Sequence, residues 1–321
     1  FGSSCLSTDI RGTHRLWSAM QFTPQQLTGG VRYGHKCRIG NWSEDMELEE
    51  IKLKDYLMQK ESGNLMVNAK QMKLERSLRP AGVATTPDGK LRFGDSIMLY
   101  NYQSECFLAA NPHEAITTKP DEAMACTTGP NVNPCLRNVF IIERADPADG
   151  FEGETLHYGQ DFRLASLPSL KDETVYYMHS EIFSPLAESK FSRKQEVCWY
   201  SKPNGRTLWQ VVFPDPKERF EANGLEVPAN AAIVVMHVHT RRPLASDRIV
   251  YQNIFGTEFE VHAHNYSSLN KTQNLVSEKK GEITADYDLR RLASANIWEL
   301  VARTTGEAAA EGAGPGLAET Q

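Results

Sequence analysis

The chain has 321 residues, 40% of them hydrophobic, and carries 35 Lys and Arg against 41 Asp and Glu, a formal net charge of −6. That is enough apolar material for one large or two small cores. The mild acidity excludes a primary nucleic-acid role, which calls for a basic footprint, and no apolar run approaches the roughly 20 residues of a membrane-spanning helix. No signal peptide is visible from Phe1 onward. The cysteines, Cys5, Cys37, Cys106, Cys126, Cys135 and Cys198, form no C-x-x-C pair. They read as free thiols of a reducing compartment.

Residues 1–34 are polar and broken by Pro24 and Gly29-Gly30, which reads as an extended N-terminal tail. A helical clip follows over 35–80. Its first helix starts near Ser43, a suitable N-cap, with Glu44, Asp45 and Glu47 at the positive end of the dipole. Leu53, Tyr56 and Leu57 recur at helical spacing. Gly63-Asn64 interrupts the pattern, and a second helix runs from about Leu65 to Leu78, stopping before Pro80. On it Lys70, Lys73, Arg76 and Arg79 fall three apart, a slowly winding basic stripe. Such a stripe is commonly a solvated face, and alternatively docks an acidic partner.

From the turn signal Thr86-Pro-Asp-Gly89 the texture changes to short β-like runs. Three passes of one pattern fill residues 86–302. The openings are Phe93-Gly-Asp-Ser-Ile-Met-Leu-Tyr100, Tyr158-Gly-Gln-Asp-Phe-Arg-Leu164 and Ala229-Asn-Ala-Ala-Ile-Val-Val-Met236. The closings each carry a large aromatic, Phe140, Trp209 and Trp298, ahead of β-formers. Middle strands are expected at Cys106–Ala109, Val175–Met178 and Glu258–Val261. Pro203-Asn-Gly205, between Trp199 and Trp209, is a hairpin signal. The expected fold is mainly β. Three repeats (about 93–145, 156–214 and 229–302) of about four strands, each closed by an aromatic, resemble a β-trefoil of the MIR type. The closing aromatics are expected to plug its core. Residues 303–321, with Gly312-Ala-Gly-Pro-Gly316, read as a flexible C-terminal tail.

The chemistry-bearing candidates are few. His237-Val-His239 and His262-Ala-His264 place two imidazoles on one strand face each, a chelating spacing. Neither has a clear third ligand or outer-shell support, so no metal and no cofactor is expected. No nucleophile elbow, phosphate-cradling glycine loop or zinc-hydrolase helix appears, so no catalytic residue is assigned.

The segment Val31-Arg-Tyr-Gly34…Arg38-Ile-Gly-Asn-Trp-Ser-Glu-Asp45, with Leu48-Glu-Glu-Ile-Lys-Leu-Lys-Asp-Tyr-Leu57, resembles the N-terminal signature of the cilia- and flagella-associated protein 161 family. Ser77-Leu-Arg-Pro80 and Phe93-Gly-Asp-Ser-Ile-Met-Leu99 continue it, and the resemblance runs from about 31 to 302. It implies a non-enzymatic microtubule inner protein of motile cilia. Such a protein lies in the A-tubule lumen of doublet microtubules and touches α- and β-tubulin and neighbouring inner proteins, without nucleic acid or membrane. In that setting Asn41 and Trp42 anchor the clip against a partner or the trefoil, a core role for Trp42 being the equal alternative, and the Lys70, Lys73, Arg76 and Arg79 stripe meets acidic surface. The competing expectation is a carbohydrate- or peptide-binding MIR/trefoil module with a shallow pocket near Trp199, Tyr200 and His179.

Overall fold

The computed structural model describes residues 42–116, 119–146, 151, 153–185, 187–266, 279–281 and 292–304. Two compact units divide the chain, Phe1–Lys70 and Gln71–Gln321. The expected tail at 1–34, the expected 303–321 tail beyond Thr304, and Asn41 lie outside the described residues; Arg303–Thr304, placed in that tail, form a short strand instead.

In the first unit helix α1 spans Trp42–Glu61. It begins before Ser43, which therefore stands in the first turn rather than at the cap. Leu53 and Tyr56 are half-buried, while Leu57 is 46% exposed. Gly63, at φ +72°, supplies the left-handed turn after α1. Helix α2 spans Met66–Ser77 and carries the boundary between the units. It ends before Pro80, as the ring's clash with a preceding turn requires.

Among the described residues the second unit has fourteen strands: β1 Thr85–Thr86, β2 Ser96–Asn101, β3 Cys106–Ile116, β4 Lys119–Gly129, β5 Phe140–Arg144, β6 Asp161–Ser166, β7 Tyr177–Ser180, β8 Gln195–Tyr200, β9 Trp209–Val212, β10 Ala232–His237, β11 Leu244–Asn253, β12 Gly256–Ala263, β13 Trp298–Val301 and β14 Arg303–Thr304. A single helical turn, α3, lies at Arg219–Ala222. The three sequence openings are β2, β6 and β10, and the three closings are β5, β9 and β13. These six strands form a closed antiparallel circuit: β2 pairs β5, β5 pairs β6, β6 pairs β9, β9 pairs β10, β10 pairs β13 and β13 returns to β2. Closure of this kind leaves the circuit no free edge. The remaining long strands make three hairpins, β3–β4, β7–β8 and β11–β12. Each hairpin bonds to the other two, through β4–β8, β8–β12 and β12–β4. The parallel pair β1–β14 ties the two ends of this body together.

Local chemistry repeats with the topology. Gly94, Gly159 and Asn230 all hold positive φ, at +95°, +80° and +57°. Their N–H groups donate to Ile142, Val211 and Leu300 carbonyls at 2.8, 2.9 and 3.0 Å. Asn is the side chain that best tolerates this region in place of Gly. Leu91 N–H donates to the Val227 carbonyl, Leu156 to Leu91 and Val227 to Leu156, at 3.1, 2.8 and 2.8 Å. This three-membered backbone ring carries fully buried side chains.

Phe140, Trp209 and Trp298 are completely buried core plugs. The indoles of Trp209 and Trp298 donate to the Met178 and Leu244 carbonyls at 2.8 and 3.0 Å. Phe140, without a donor, stacks on Trp199 with ring centroids 4.3 Å apart. The expected hairpin at Pro203-Asn-Gly205 is corrected: β8 and β9 are not partners. Asn204 instead caps a 3-10 turn at Gly205–Thr207, accepting from Arg206 N–H at 2.8 Å. Gly205 does not take the positive φ that a tight Asn-Gly hairpin turn requires. Cys106, Cys126, Cys135 and Cys198 are free, buried thiols.

Candidate functional site

Helix α2 displays the basic stripe in the open. Lys70, Lys73 and Arg76 lie on the helix and are exposed. Arg79 is exposed too, but lies past the helix end, where its backbone carbonyl accepts from Leu136 N–H at 2.9 Å. The last turn of α2 is fixed from within. Ser77 is fully buried, and its hydroxyl donates to the Lys73 carbonyl at 2.9 Å and meets His113 Nε2, on β3, at 3.0 Å. That anchor holds Lys73, Arg76 and Arg79 along a groove with Met72, Pro112, Leu170 and Lys171. Arg76 lies 3.7 Å from Asp172, both side chains more than half exposed, a pairing of small energetic weight in water. His113 shows the sign of the field: burial first, then the neighbouring Lys73, Arg76 and Arg137 charges, hold its pKa below the usual histidine value. The stripe is legible in sequence; its groove partners, His113 on β3 and Lys171, lie far away in sequence and carry no local signal.

The histidine pairs separate on inspection. His237 is fully buried and bonded at both nitrogens, Nδ1 with Thr240 Oγ1 at 2.8 Å and Nε2 with the Arg206 carbonyl at 2.9 Å. His239 is exposed. His262 is buried with Nε2 3.0 Å from the Tyr266 hydroxyl, and burial pushes its pKa down to about 3. Among the described residues no group of three or more His, Cys, Asp or Glu is arranged to hold a metal. The shallow pocket expected near Trp199 is also corrected. Trp199 is fully buried and His179 is 1% exposed, because Trp199 is recruited into the core by Phe140.

The model of the "Cilia- and flagella-associated protein 161-like domain" family matches residues 70–276. The cilia- and flagella-associated protein 161 of Bos taurus is 35% identical over 251 residues, 73% of this chain and 77% of that one. Its Danio rerio counterpart is 30% identical over 262 residues, 75% of this chain and 84% of that one. The chain belongs to the cilia- and flagella-associated protein 161 family. The family match begins at Lys70, so it takes in all four cations of the stripe and runs through β12; Asn41 and Trp42 precede it. Among solved structures, the SDF2-like protein from Arabidopsis thaliana is similar at a TM-score of 0.47 and 16% identity, over 66% of this chain and 94% of that one.

Proposed function

We propose that this member of the cilia- and flagella-associated protein 161 family is a non-enzymatic structural protein of the axoneme. In this reading it is a microtubule inner protein in the A-tubule lumen of the doublets, bound to α- and β-tubulin and to neighbouring inner proteins. Its body is proposed to be a β-trefoil: the circuit of six strands is the barrel, and the three mutually bonded hairpins are the cap. The observation that carries the functional reading is family membership over residues 70–276 together with curated relatives named for cilia and flagella. The exposed cations Lys70, Lys73, Arg76 and Arg79 supply the chemistry for an acidic partner surface, and Asn41 and Trp42 act as the anchor at the start of α1.

Extraction of isolated motile axonemes tests it. A protein enclosed by the tubulin wall resists high salt and leaves when sarkosyl disrupts the doublets. Release by mild salt, or with the membrane fraction, overturns the lumenal assignment.

A further inference from the structure

The three hairpins leave a cavity of about 480 Å³ where they meet. Part of its wall is apolar, from Ile116, Val197 and Val261. Its charged residues are the carboxylates Glu114, Glu188, Glu196 and Glu260 and the cations Lys190 and Arg193. Three of the carboxylates are satisfied from within the chain. Glu114 accepts from Lys190 Nζ at 2.8 Å and from the Tyr251 hydroxyl at 2.5 Å. Glu188 accepts from the Arg193 guanidinium. Glu260 accepts from the backbone N–H groups of Phe191 and Ser192, both at 2.8 Å. Both cations of the pocket are thereby engaged. Glu196 differs: among the described residues no hydrogen bond or ion pair reaches its carboxyl oxygens, and its surroundings act on it only by burial and at a distance.

A second observation lies beside it. Glu196 also lines a chamber of about 10 Å³ with Lys119, His179, Glu181 and Cys198, room for about one water. Lys119 is held there by Glu181 at 2.5 Å. His179 is 1% exposed, with Nδ1 3.5 Å from the Cys198 sulfur, and its Nε2 has no hydrogen-bond partner. Buried polar atoms without partners are uncommon in folded proteins; Glu181 Oε1 lies 3.8 Å from this one, beyond hydrogen-bond distance.

We propose that this pocket receives one basic side chain, lysine or arginine, from a partner protein, with Glu196 as its counter-ion. The apolar wall takes the methylene stem, as apolar surfaces do for long cationic residues. An ionised carboxyl partly withdrawn from water, as the half-buried Glu196 is, is costly alone and is relieved by a cation. An acidic side chain would meet Glu196 as a like charge, and an apolar one would leave it unpaired. The pocket shares no lining residue with the basic groove of α2, so the proposal stands apart from the ciliary reading.

The test is a ¹⁵N TROSY titration of the full chain with N-acetyl-arginine methylamide and N-acetyl-lysine methylamide. N-acetyl-norleucine methylamide and N-acetyl-glutamate are the controls. The expected result is saturable shifts at the amides of Glu114, Glu196, Val197 and Val261 with a basic probe alone. Glu196→Gln weakens that binding by about tenfold or more, its dispersed spectrum reporting that it is folded, while Glu196→Asp retains most of it. Absence of saturable shifts with both basic probes, an equal response to norleucine or glutamate, or unchanged affinity in Glu196→Gln overturns the proposal.

Discussion

Glu196 also sets a balance between stability and pH. Burial first, with Glu181 and Glu260 adding and Lys119 opposing, pushes its pKa from 4.5 up to about 7. The folded protein therefore holds this proton more tightly than the unfolded chain. The penalty for ionising it is absent below the unfolded value, grows between the two and is complete above about 7. Glu196→Gln removes the penalty, and the gain expected near pH 8 is ~2 kcal/mol once solvent access to the pocket is allowed for, vanishing near pH 4. Urea melts of both proteins at the two pH values check this; identical pH profiles would contradict it. The buried histidines act in the opposite direction. Burial holds His179 down to about 4 and His262 to about 3, so each costs stability as the pH falls below the ordinary histidine range.

Two of the three hairpins, β3–β4 and β11–β12, are tied to each other by a charged pair that has no local signature. Arg137 and Glu258 are 2% and 1% exposed and bond doubly, at 2.6 and 3.0 Å. Arg137 Nε reaches the Ala110 carbonyl on β3 at 3.1 Å, and Thr127 on β4 and Asn253 at the end of β11 donate to Glu258 at 2.7 and 2.6 Å. The Phe255 ring covers the guanidinium at 3.6 Å. Gly129 completes the fit, since a Cβ there would fall 2.6 Å from Glu258 Oε1. Leaving one buried charge alone is the expensive error: Arg137→Met is expected to cost about 3–5 kcal/mol, and adding Glu258→Met to recover much of it. Denaturant midpoints of the two single variants and the double check the coupling; additive effects would show that the pair acts as two separate residues. The sequence spoke clearly where the cause is local. Gly94, Gly159 and Asn230 sit at turns that hold positive φ, and Phe140, Trp209 and Trp298 open the closing strands β5, β9 and β13. It was silent where the cause is distance. Nothing near Arg137 announces a partner 121 residues away, and nothing near Glu196 reveals that three hairpins converge on it. The Asn204-Gly205 signal misled because Asn204 uses its side chain as a cap instead of adopting a hairpin turn.

At the scale of the whole body, no repeat is complete by itself. β5 needs β6, β9 needs β10, and β13 needs β2; each hairpin likewise leans on the other two. A chain ending at residue 215 would lack β10 and β13 from the circuit, β12 from the hairpin contacts and Val227 from the ring of buried backbone bonds. Such a fragment is expected to show no cooperative urea transition, followed by far-UV circular dichroism. A sigmoidal melt would mean that two repeats suffice. The Leu91, Leu156 and Val227 ring has a further consequence during synthesis. Leu91 leaves the ribosome early but donates its N–H to Val227, and Thr85–Thr86 pair with Arg303–Thr304, among the last residues of the body to emerge. At typical elongation rates that interval is on the order of ten seconds or more. Throughout it, the core strands that pair with the third repeat lack those partners. The closed circuit is therefore expected to form only after the third repeat is released.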